Sequence, residues 1–266
     1  MPFILVHPAA ALPLHRYLGR HAVLSALIIG SMTPDMHYFL PLAITRGEAH
    51  SLDGLLWFCL PIGVALYLLY HFILKCPLRL LLPLTVRLRL RPWLNPGHLP
   101  AASWKTVSLS LLIGAMTHLI WDAFTHQYAA GTLALPVLRA TWLSLGHYKV
   151  PGYEVLQQLS NLLGFFLLSF WASRWLQLHS PMDSPSTELS LSPVTRRSIL
   201  VGVTLAAFLF AFIKMQQSPP LVVPDLLELH IKIKEATVAA MSGGGLVLLA
   251  YSVGWQLQAR WRRILI

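Results

Sequence analysis

Five long apolar segments constrain the fold of this chain more than any other feature. Most approach the ~20 residues that a helix needs to cross a bilayer. A weaker apolar stretch, residues 21–40, is interrupted by Gly30 and Pro34 and predicts a sixth span or a partly inserted helix. Lipid cannot hydrogen-bond an exposed backbone, so we predict an all-α fold, a multi-pass transmembrane helical bundle of five or six spans. The five segments are residues 54–74, 104–124, 155–176, 198–212 and 237–257.

Composition and charge support a membrane location. Charged residues make up 11% of the chain, against about 25% in soluble domains. Lys and Arg number 20 against 10 acidic residues, and binding to nucleic acid is one interpretation of such an excess. The basic residues flank the apolar segments, however, which the positive-inside rule explains better. We therefore expect the lipid bilayer as partner, no nucleic acid, a cytoplasmic C-terminus, and the His118–His126 end of the second segment outside.

The chain divides into three parts by composition. Residues 180–193 are rich in Ser and Pro and predict a flexible linker. Before the linker, residues 1–179 hold nearly all the candidate ligands and predict a membrane-embedded metal-site domain. After it, residues 194–266 predict a plainer C-terminal pair of transmembrane helices.

The second apolar segment ends in a regularly spaced polar motif. His118, Asp122 and His126 lie at i, i+4 and i+8, which places them on one face of a helix. Burying a carboxylate and imidazoles in an apolar segment is costly, and a metal cation is the simplest compensation. The alternatives are an intrahelical polar pair for His118 and Asp122, and an interfacial histidine for His126.

The N-terminal part supplies further candidate ligands. His7, Asp35 and His50 lie in three separate places that can converge in a helical bundle. Such a mixture of His and Asp is normal for zinc, so we predict a divalent metal, zinc being the expected ion, bound by His7, Asp35, His50, His118, Asp122 and His126. An N-cap remains the alternative for Asp35, and structural or interfacial histidines remain so for His7 and His50.

Two charged residues beside His50 are candidates for catalysis. Glu48 could serve as a general base, and Arg46 could bind a phosphate. The alternatives are a solvated loop acid for Glu48 and an interfacial charge for Arg46.

Four motifs carry a family resemblance over roughly residues 1–175. Met1-Pro-Phe-x-x-x-His7-Pro-Ala-Ala, Gly30-Ser-Met-x-Pro-Asp35, Arg46-Gly-x-x-His50-Ser-Leu and Thr117-His118-Leu-x-Trp-Asp122-x-Phe-Thr-His126 resemble those of an uncharacterised bacterial family of multi-pass membrane proteins. More distantly, their order is similar to that of YdjM-like inner-membrane metal-dependent hydrolases, which in turn look like zinc-dependent phospholipase C. The chain departs from the YdjM-like pattern at Thr45 and Glu48, where that pattern has His and Phe.

The resemblance implies a bacterial cytoplasmic (inner) membrane protein and a ligand set of His7, Asp35, His50, His118 and Asp122. Our leading hypothesis is an integral-membrane metal-dependent hydrolase that acts on a phosphoester or lipid-like, amphipathic substrate. The main alternative is a non-enzymatic transporter or scaffold with a buried ion site. A third hypothesis, haem held by two histidines, is disfavoured by the carboxylates.

Overall fold

The computed structural model describes residues 4–90, 99–146, 148–181, 190–218 and 226–264. The chain forms two compact units, and the first comprises Met1–Tyr67 and Pro100–Ser173. The second comprises Leu68–Leu99 and Arg174–Ile266. All the predicted metal ligands belong to the first unit. The predicted division at residues 180–193 stays a prediction, because residues 182–189 lie outside the described part of the chain.

Helices dominate the described residues, so the all-α prediction is confirmed. Short 3₁₀ segments cover Ile4–Val6, Gly19–His21 and Thr33–Tyr38. The long helix α4 contains two π-helical stretches, Leu55–Cys59 and Tyr70–Leu74. The helices are α1 (Pro8–Leu18), α2 (Leu24–Gly30), α3 (Arg46–Ala49), α4 (Leu52–Leu81), α5 (Leu84–Leu90), α6 (Trp104–Asp122), α7 (Ala130–Ala134), α8 (Pro136–Arg139), α9 (Gly152–Leu178), α10 (Pro193–Gln217) and α11 (Leu226–Ile264).

Four helices of the described chain are long and apolar enough to cross a membrane, so five or six spans are not confirmed. They are α4, α9, α10 and, within α11, Ile231–Ala259. The predicted span at residues 104–124 is absent from this set because Lys105, His118 and several hydroxyl residues lower the mean hydropathy of α6. The stretch 21–40 forms only the seven-residue α2 followed by a 3₁₀ segment, and seven helical residues reach only about 10 Å.

A β-hairpin, which sequence analysis did not predict, precedes α9. Strands β1 (Thr141–Leu145) and β2 (Tyr148–Pro151) pair antiparallel, with Leu145 opposite Tyr148. The turn begins at Gly146, whose φ of +62° lies in the left-handed region that favours glycine. Two short strands leave the fold class unchanged.

Helix α6 is the central helix of the first unit and runs antiparallel to the first half of α4. Near its start, the ring of Trp104 lies 6.4 Å from that of Tyr67. Further along, Ala115 packs in a buried apolar cluster with Phe58 and Cys59. The C-terminal end of α6 is therefore brought close to the N-terminal end of α4, where His50 immediately precedes the helix.

Helix α2 packs unusually close to α6 through two glycines. A Cβ atom on Gly30 would overlap the backbone carbonyl of Leu111, and one on Gly114 would overlap that of Leu27. The absence of side chains at both positions lets the two backbones approach each other. This contact places the residue after α2, Ser31, next to His118.

In the second unit, α10 and α11 pack along each other. Gly243 lies against the backbone of Ala206, where a Cβ atom would come within 2.6 Å of the carbonyl oxygen. An ion pair joins Lys214 Nζ to Glu235 Oε2 at 3.3 Å. The orientation that the Lys and Arg residues predict for this helix pair remains a prediction.

We expect Gly114→Ala to destabilise the fold, because the new methyl group must push α2 away from α6. Overpacking of this kind costs about 1–3 kcal/mol. The matched control is Gly245→Ala in α11, where a Cβ atom would meet nothing within 4 Å, and where alanine should leave stability unchanged or raise it. Thermal unfolding in detergent, followed by circular dichroism, measures both. Equal melting temperatures for the two variants would contradict the proposed close contact.

Candidate metal centre

Four of the predicted ligands converge at one buried place in the first unit. Asp35, His50, His118 and Asp122 each offer a ligand atom, and these atoms all lie within 4.8 Å of one another. The residues come from three separated stretches of chain: the 3₁₀ segment Thr33–Tyr38, the end of α3 and the end of α6. Each side chain is held by local structure that leaves one atom facing the centre.

The tautomer of His118 is set by the contact between α2 and α6. His118 is fully buried, and its Nδ1 lies 2.8 Å from the backbone carbonyl oxygen of Ser31. A carbonyl only accepts hydrogen bonds, so Nδ1 carries the proton and Nε2 of the neutral ring keeps a free lone pair. Metal-binding histidines are usually oriented by this kind of contact.

His50 is oriented in the same way by α3. Its Nδ1 donates to the carbonyl oxygen of Arg46 at 3.0 Å, and its Nε2 faces His118 Nε2 at 3.3 Å. The short helix is fixed by a capping box in which Glu48 Oε2 accepts from Thr45 N and from Thr45 Oγ1. Two rings with both Nδ1 atoms engaged in this way direct their Nε2 atoms at each other, so a cation or a proton between them would be stabilising.

Asp122 is the hub of the cluster. Its Oδ2 accepts a 2.8 Å hydrogen bond from Arg46 Nη2 and lies 3.4 Å from His50 Nε2 and 3.5 Å from His118 Nε2. Asp122 is also the last residue of α6, where the helix dipole disfavours a negative charge. Arg46 alone cannot neutralise both this carboxylate and that of Asp35, so a further positive charge would stabilise the site.

The fourth ligand, Asp35, lies in the turn that interrupts the N-terminal apolar stretch. Pro34 is the second residue of the 3₁₀ segment Thr33–Tyr38, and Asp35 follows within its first turn. Its Oδ1 lies 3.5 Å from His50 Nε2 and 3.8 Å from His118 Nε2. The position of Asp35 at a helix break, which Pro34 predicts, is thus confirmed.

Most separations among the four ligand atoms are close to those around one tetrahedral ion. Ligands about 2.0–2.1 Å from a zinc ion lie about 3.3–3.4 Å from one another at tetrahedral angles. Five of the six separations are 3.3, 3.4, 3.5, 3.5 and 3.8 Å, and the sixth, between Asp35 and Asp122, is within 4.8 Å. The four N···O separations exceed the roughly 2.7–2.9 Å of charge-assisted hydrogen bonds. These distances favour a shared cation over a network of direct hydrogen bonds.

The other two predicted ligands, His7 and His126, lie beside these four. His7 stacks on His118 with ring centroids 3.6 Å apart, and its Nε2 is 3.8 Å from Asp122 Oδ1. Neither ring nitrogen of His7 has a hydrogen-bond partner among the described residues, nor has Asp122 Oδ1. His126 Nδ1 lies 3.4 Å from Asp122 Oδ2. His7 and Asp122 Oδ1 therefore form a further pair of available ligand atoms.

The pKa values of the buried His and Asp residues indicate that the centre of the cluster stabilises a positive charge, held by a proton or a cation. Burial lowers the pKa of His7 and that of His126 to about 3, so both rings are neutral at pH 7. Burial alone would raise the pKa of Asp35, but the neighbouring His118 and His50 lower it to about 2. Burial would also lower the pKa of His118, but Asp35 and Asp122 outweigh it and raise that pKa.

The two predicted catalytic residues have different surroundings. Arg46 contacts Asp122 while a third of its side chain remains exposed, so its guanidinium connects the buried ligands to the surface. Glu48 is exposed and caps α3, as described above. Its predicted role as a general base therefore stays a prediction.

Two supporting residues were missed by sequence analysis. The Ser31 carbonyl orients His118, and Gln157 Nε2 lies 3.3 Å from His126 Nε2. Backbone carbonyls and distant amides leave no spacing signal in a sequence. His37, which the Asp35-x-His37 pair makes visible in the sequence as a potential ligand, lies beside the cluster: its ring is 5.6 Å from that of His50, and its Nδ1 donates to the Pro34 carbonyl oxygen.

Over the described residues, the fold and the site define an all-α protein with four potential membrane-spanning helices and a buried His/Asp cluster able to hold a metal ion. A family model described as a domain of unknown function (DUF4184) matches residues 1–253, so the chain belongs to that family. This match agrees with the predicted resemblance to an uncharacterised family. No curated protein and no solved structure matches the chain. The more distant resemblances to YdjM-like hydrolases and phospholipase C remain predictions.

Proposed function

We propose that the protein is an integral-membrane metal-dependent hydrolase acting on a phosphoester of an amphipathic molecule. The observation that carries the proposal is the set of ligand-atom separations among Asp35, His50, His118 and Asp122. Zinc is the ion that best suits two imidazoles and two carboxylates at these distances. A bound divalent ion would supply Lewis acidity to polarise a phosphoryl oxygen.

The ligand chemistry supports a catalytic site more than a structural one. Structural zinc sites are typically rich in Cys and fully closed, whereas catalytic sites use His, Asp and Glu. The two cysteines of this chain, Cys59 and Cys76, are buried and are not joined in a disulfide, and neither belongs to the four-residue cluster. Two carboxylates match the charge of a divalent ion, and Arg46 adds one positive charge at the rim.

Arg46 is suited to binding the anionic substrate. A guanidinium offers several donors in a planar arrangement that matches phosphate oxygens. One nitrogen, Nη2, is used by Asp122 at 2.8 Å, while the exposed part of the side chain can face a ligand. The phosphate of the substrate would then bind on the side of the cluster where Arg46 lies.

We expect Arg46→Gln to lower kcat/KM for phosphoester hydrolysis roughly 10- to 100-fold, the cost of losing a charge-assisted contact. The measurement uses detergent-purified, zinc-loaded protein and a panel of phosphomonoesters and phosphodiesters. The control is Arg139→Gln, since Arg139 is an exposed residue of the same unit outside the cluster.

Metal content should be measured in the same samples. A zinc-loaded parent that hydrolyses none of the panel would contradict the hydrolase proposal. Unchanged turnover in Arg46→Gln would remove the assigned role of Arg46. The non-enzymatic alternative, a transporter or scaffold with a buried ion site, would be the better account if the ion binds and no phosphoester is hydrolysed.

A further inference from the structure

An apolar pocket lies between the end of α6 and the first turns of α9. Its volume is about 320 Å³. One wall consists of Trp121, Phe124 and Thr125, and Trp121 and Thr125 lie on either side of the metal-ligand candidate Asp122 in the sequence. The pocket is thus lined by residues close in sequence to a ligand of the cluster.

The opposite wall is a stripe along α9. Leu156, Leu159 and Leu163 line the pocket together with Ser160, and positions i, i+3, i+4 and i+7 share one helix face. Leu163 lies seven positions after Leu156, which corresponds to about 10 Å along the helix axis. The wall is therefore an elongated apolar surface beside the cluster.

The wall of the pocket touches residues of the metal centre. The indole of Trp121 meets the ring of His7 edge-on, with centroids 6.1 Å apart, and His7 stacks on His118. On the other side, Thr125 Oγ1 lies 3.3 Å from His126 Nδ1. The apolar pocket and the polar cluster are therefore neighbours, as the two ends of an amphipathic ligand require.

The two hydroxyl groups of the pocket are already engaged, and Trp121 Nε1 is the one polar side-chain atom of the described lining that is buried without a hydrogen-bond partner. Ser160 Oγ donates to the Gln157 carbonyl at 2.9 Å, and Thr125 Oγ1 contacts the Trp121 carbonyl and His126. A peptide segment would bring backbone donors and acceptors that find little to pair with there. A hydrocarbon chain needs no such partners.

The pocket opens on a surface suited to hydrocarbon. Leu159 and Leu163 remain about half exposed, and Leu162, Phe165 and Phe166 on the same helix are 64–70% exposed. Helix α9 is one of the four that are long and apolar enough to cross a membrane. A lipid chain can therefore enter sideways from the bilayer, whereas a water-soluble ligand would have to cross this apolar surface.

We propose that this pocket binds a single alkyl chain of an amphipathic phosphate compound whose phosphate lies at the metal centre. This inference rests on the proposed function, which places the phosphate of the substrate at the metal centre. Each methylene group buried there should raise affinity by up to about fourfold, so affinity should increase with chain length until the stripe is covered.

The test uses an alkyl phosphate with a photoreactive diazirine at the end of its chain, added to the full-length, zinc-loaded protein in detergent. Peptide mass spectrometry then locates the label. We expect it in the two peptides that contain Trp121–Thr125 and Leu156–Leu163. Leu163→Trp fills the pocket and should reduce this labelling at least fivefold, an effect on the order of one or two lost methylene contacts.

The matched control is Leu162→Trp, one position away on α9 and outside the pocket wall. It should label like the parent. Metal content identical to that of the parent serves as the folding control, and Leu156→Trp replaces Leu163→Trp if that variant loses metal. Label spread evenly along α9, or equal in the Leu162 and Leu163 variants, would overturn the inference.

A second measurement separates this inference from the hydrolase proposal. A short-chain, water-soluble phosphodiester needs the metal centre but not the pocket. Hydrolysis of this compound without localised labelling would overturn the pocket alone. Localised labelling without hydrolysis of any phosphoester would support the pocket as a chain-binding site and contradict the hydrolase.

Discussion

Replacing Asp122 with Asn should weaken binding of a divalent metal at least about 100-fold, because loss of even an indirect partner of a ligand costs about 10–100-fold. Asp122 Oδ2 lies within 3.5 Å of both His50 Nε2 and His118 Nε2, so it is the atom that most closely links the ligands. Asparagine keeps the size of the side chain but removes its charge. His118→Ala should have an effect of similar size, because it removes the imidazole that Ser31 orients.

Elemental mass spectrometry gives the number of metal ions bound per chain of each variant. Competition with a chromophoric chelator gives the affinity. Asp53→Asn and His179→Ala are the controls: Asp53 is exposed, His179 belongs to the second unit, and both should bind metal like the parent. Circular dichroism checks that the helices remain. Equal affinity of Asp122→Asn and the parent, or a parent that binds no divalent ion, would refute the metal centre.

Removing the metal should lower the melting temperature of the parent by about 10 °C. An ion present at about 1,000 times its Kd stabilises the folded state by about 4 kcal/mol, and each kcal/mol shifts the melting temperature of a chain of this size by about 2–4 °C. Without a cation, the carboxylates of Asp35 and Asp122 stay buried with a single Arg, and the Nε2 atoms of His50 and His118 face each other.

The experiment compares thermal unfolding before and after treatment with a chelator, then after zinc is restored. Asp122→Asn is the decisive control, since a variant that has lost the ion should not respond to the chelator. An identical melting temperature of the parent with and without chelator would show that the cluster is stabilised by protons and hydrogen bonds alone.

The sequence was sufficient to predict the fold class and much of the ligand cluster. The spacing of His118, Asp122 and His126 predicts one helix face, and α6 confirms it for His118 and Asp122. For His126 the prediction is wrong, because α6 ends at Asp122 and His126 lies in the turn that follows. Pro34 predicts the break that places Asp35 in a turn, and the 3₁₀ segment there confirms it. These features are local: helical period and proline stereochemistry act within a few residues, so no knowledge of the fold is needed.

The number of membrane-spanning helices was harder to predict from the sequence than the fold class. Apolarity alone does not separate a helix that faces lipid from one that faces protein. Helix α6 is surrounded by α1, α2 and α4, and its interior positions therefore accommodate Ser110, which accepts a hydrogen bond from Val23 N. Such polar residues lower its hydropathy without removing it from the core.

Only the tertiary structure decided which candidates meet. Asp35, His50 and Asp122 are separated by many residues, and their convergence depends on the antiparallel packing of α6 on α4 and on the glycine contact between α2 and α6. The same packing supplies the Ser31 carbonyl that fixes the tautomer of His118, although Ser31 carries no sequence signal of that role. The amino-acid sequence sets which residues are available as ligands. The directions of their lone pairs depend on contacts between segments that are distant in the sequence, and no local sequence pattern encodes such contacts.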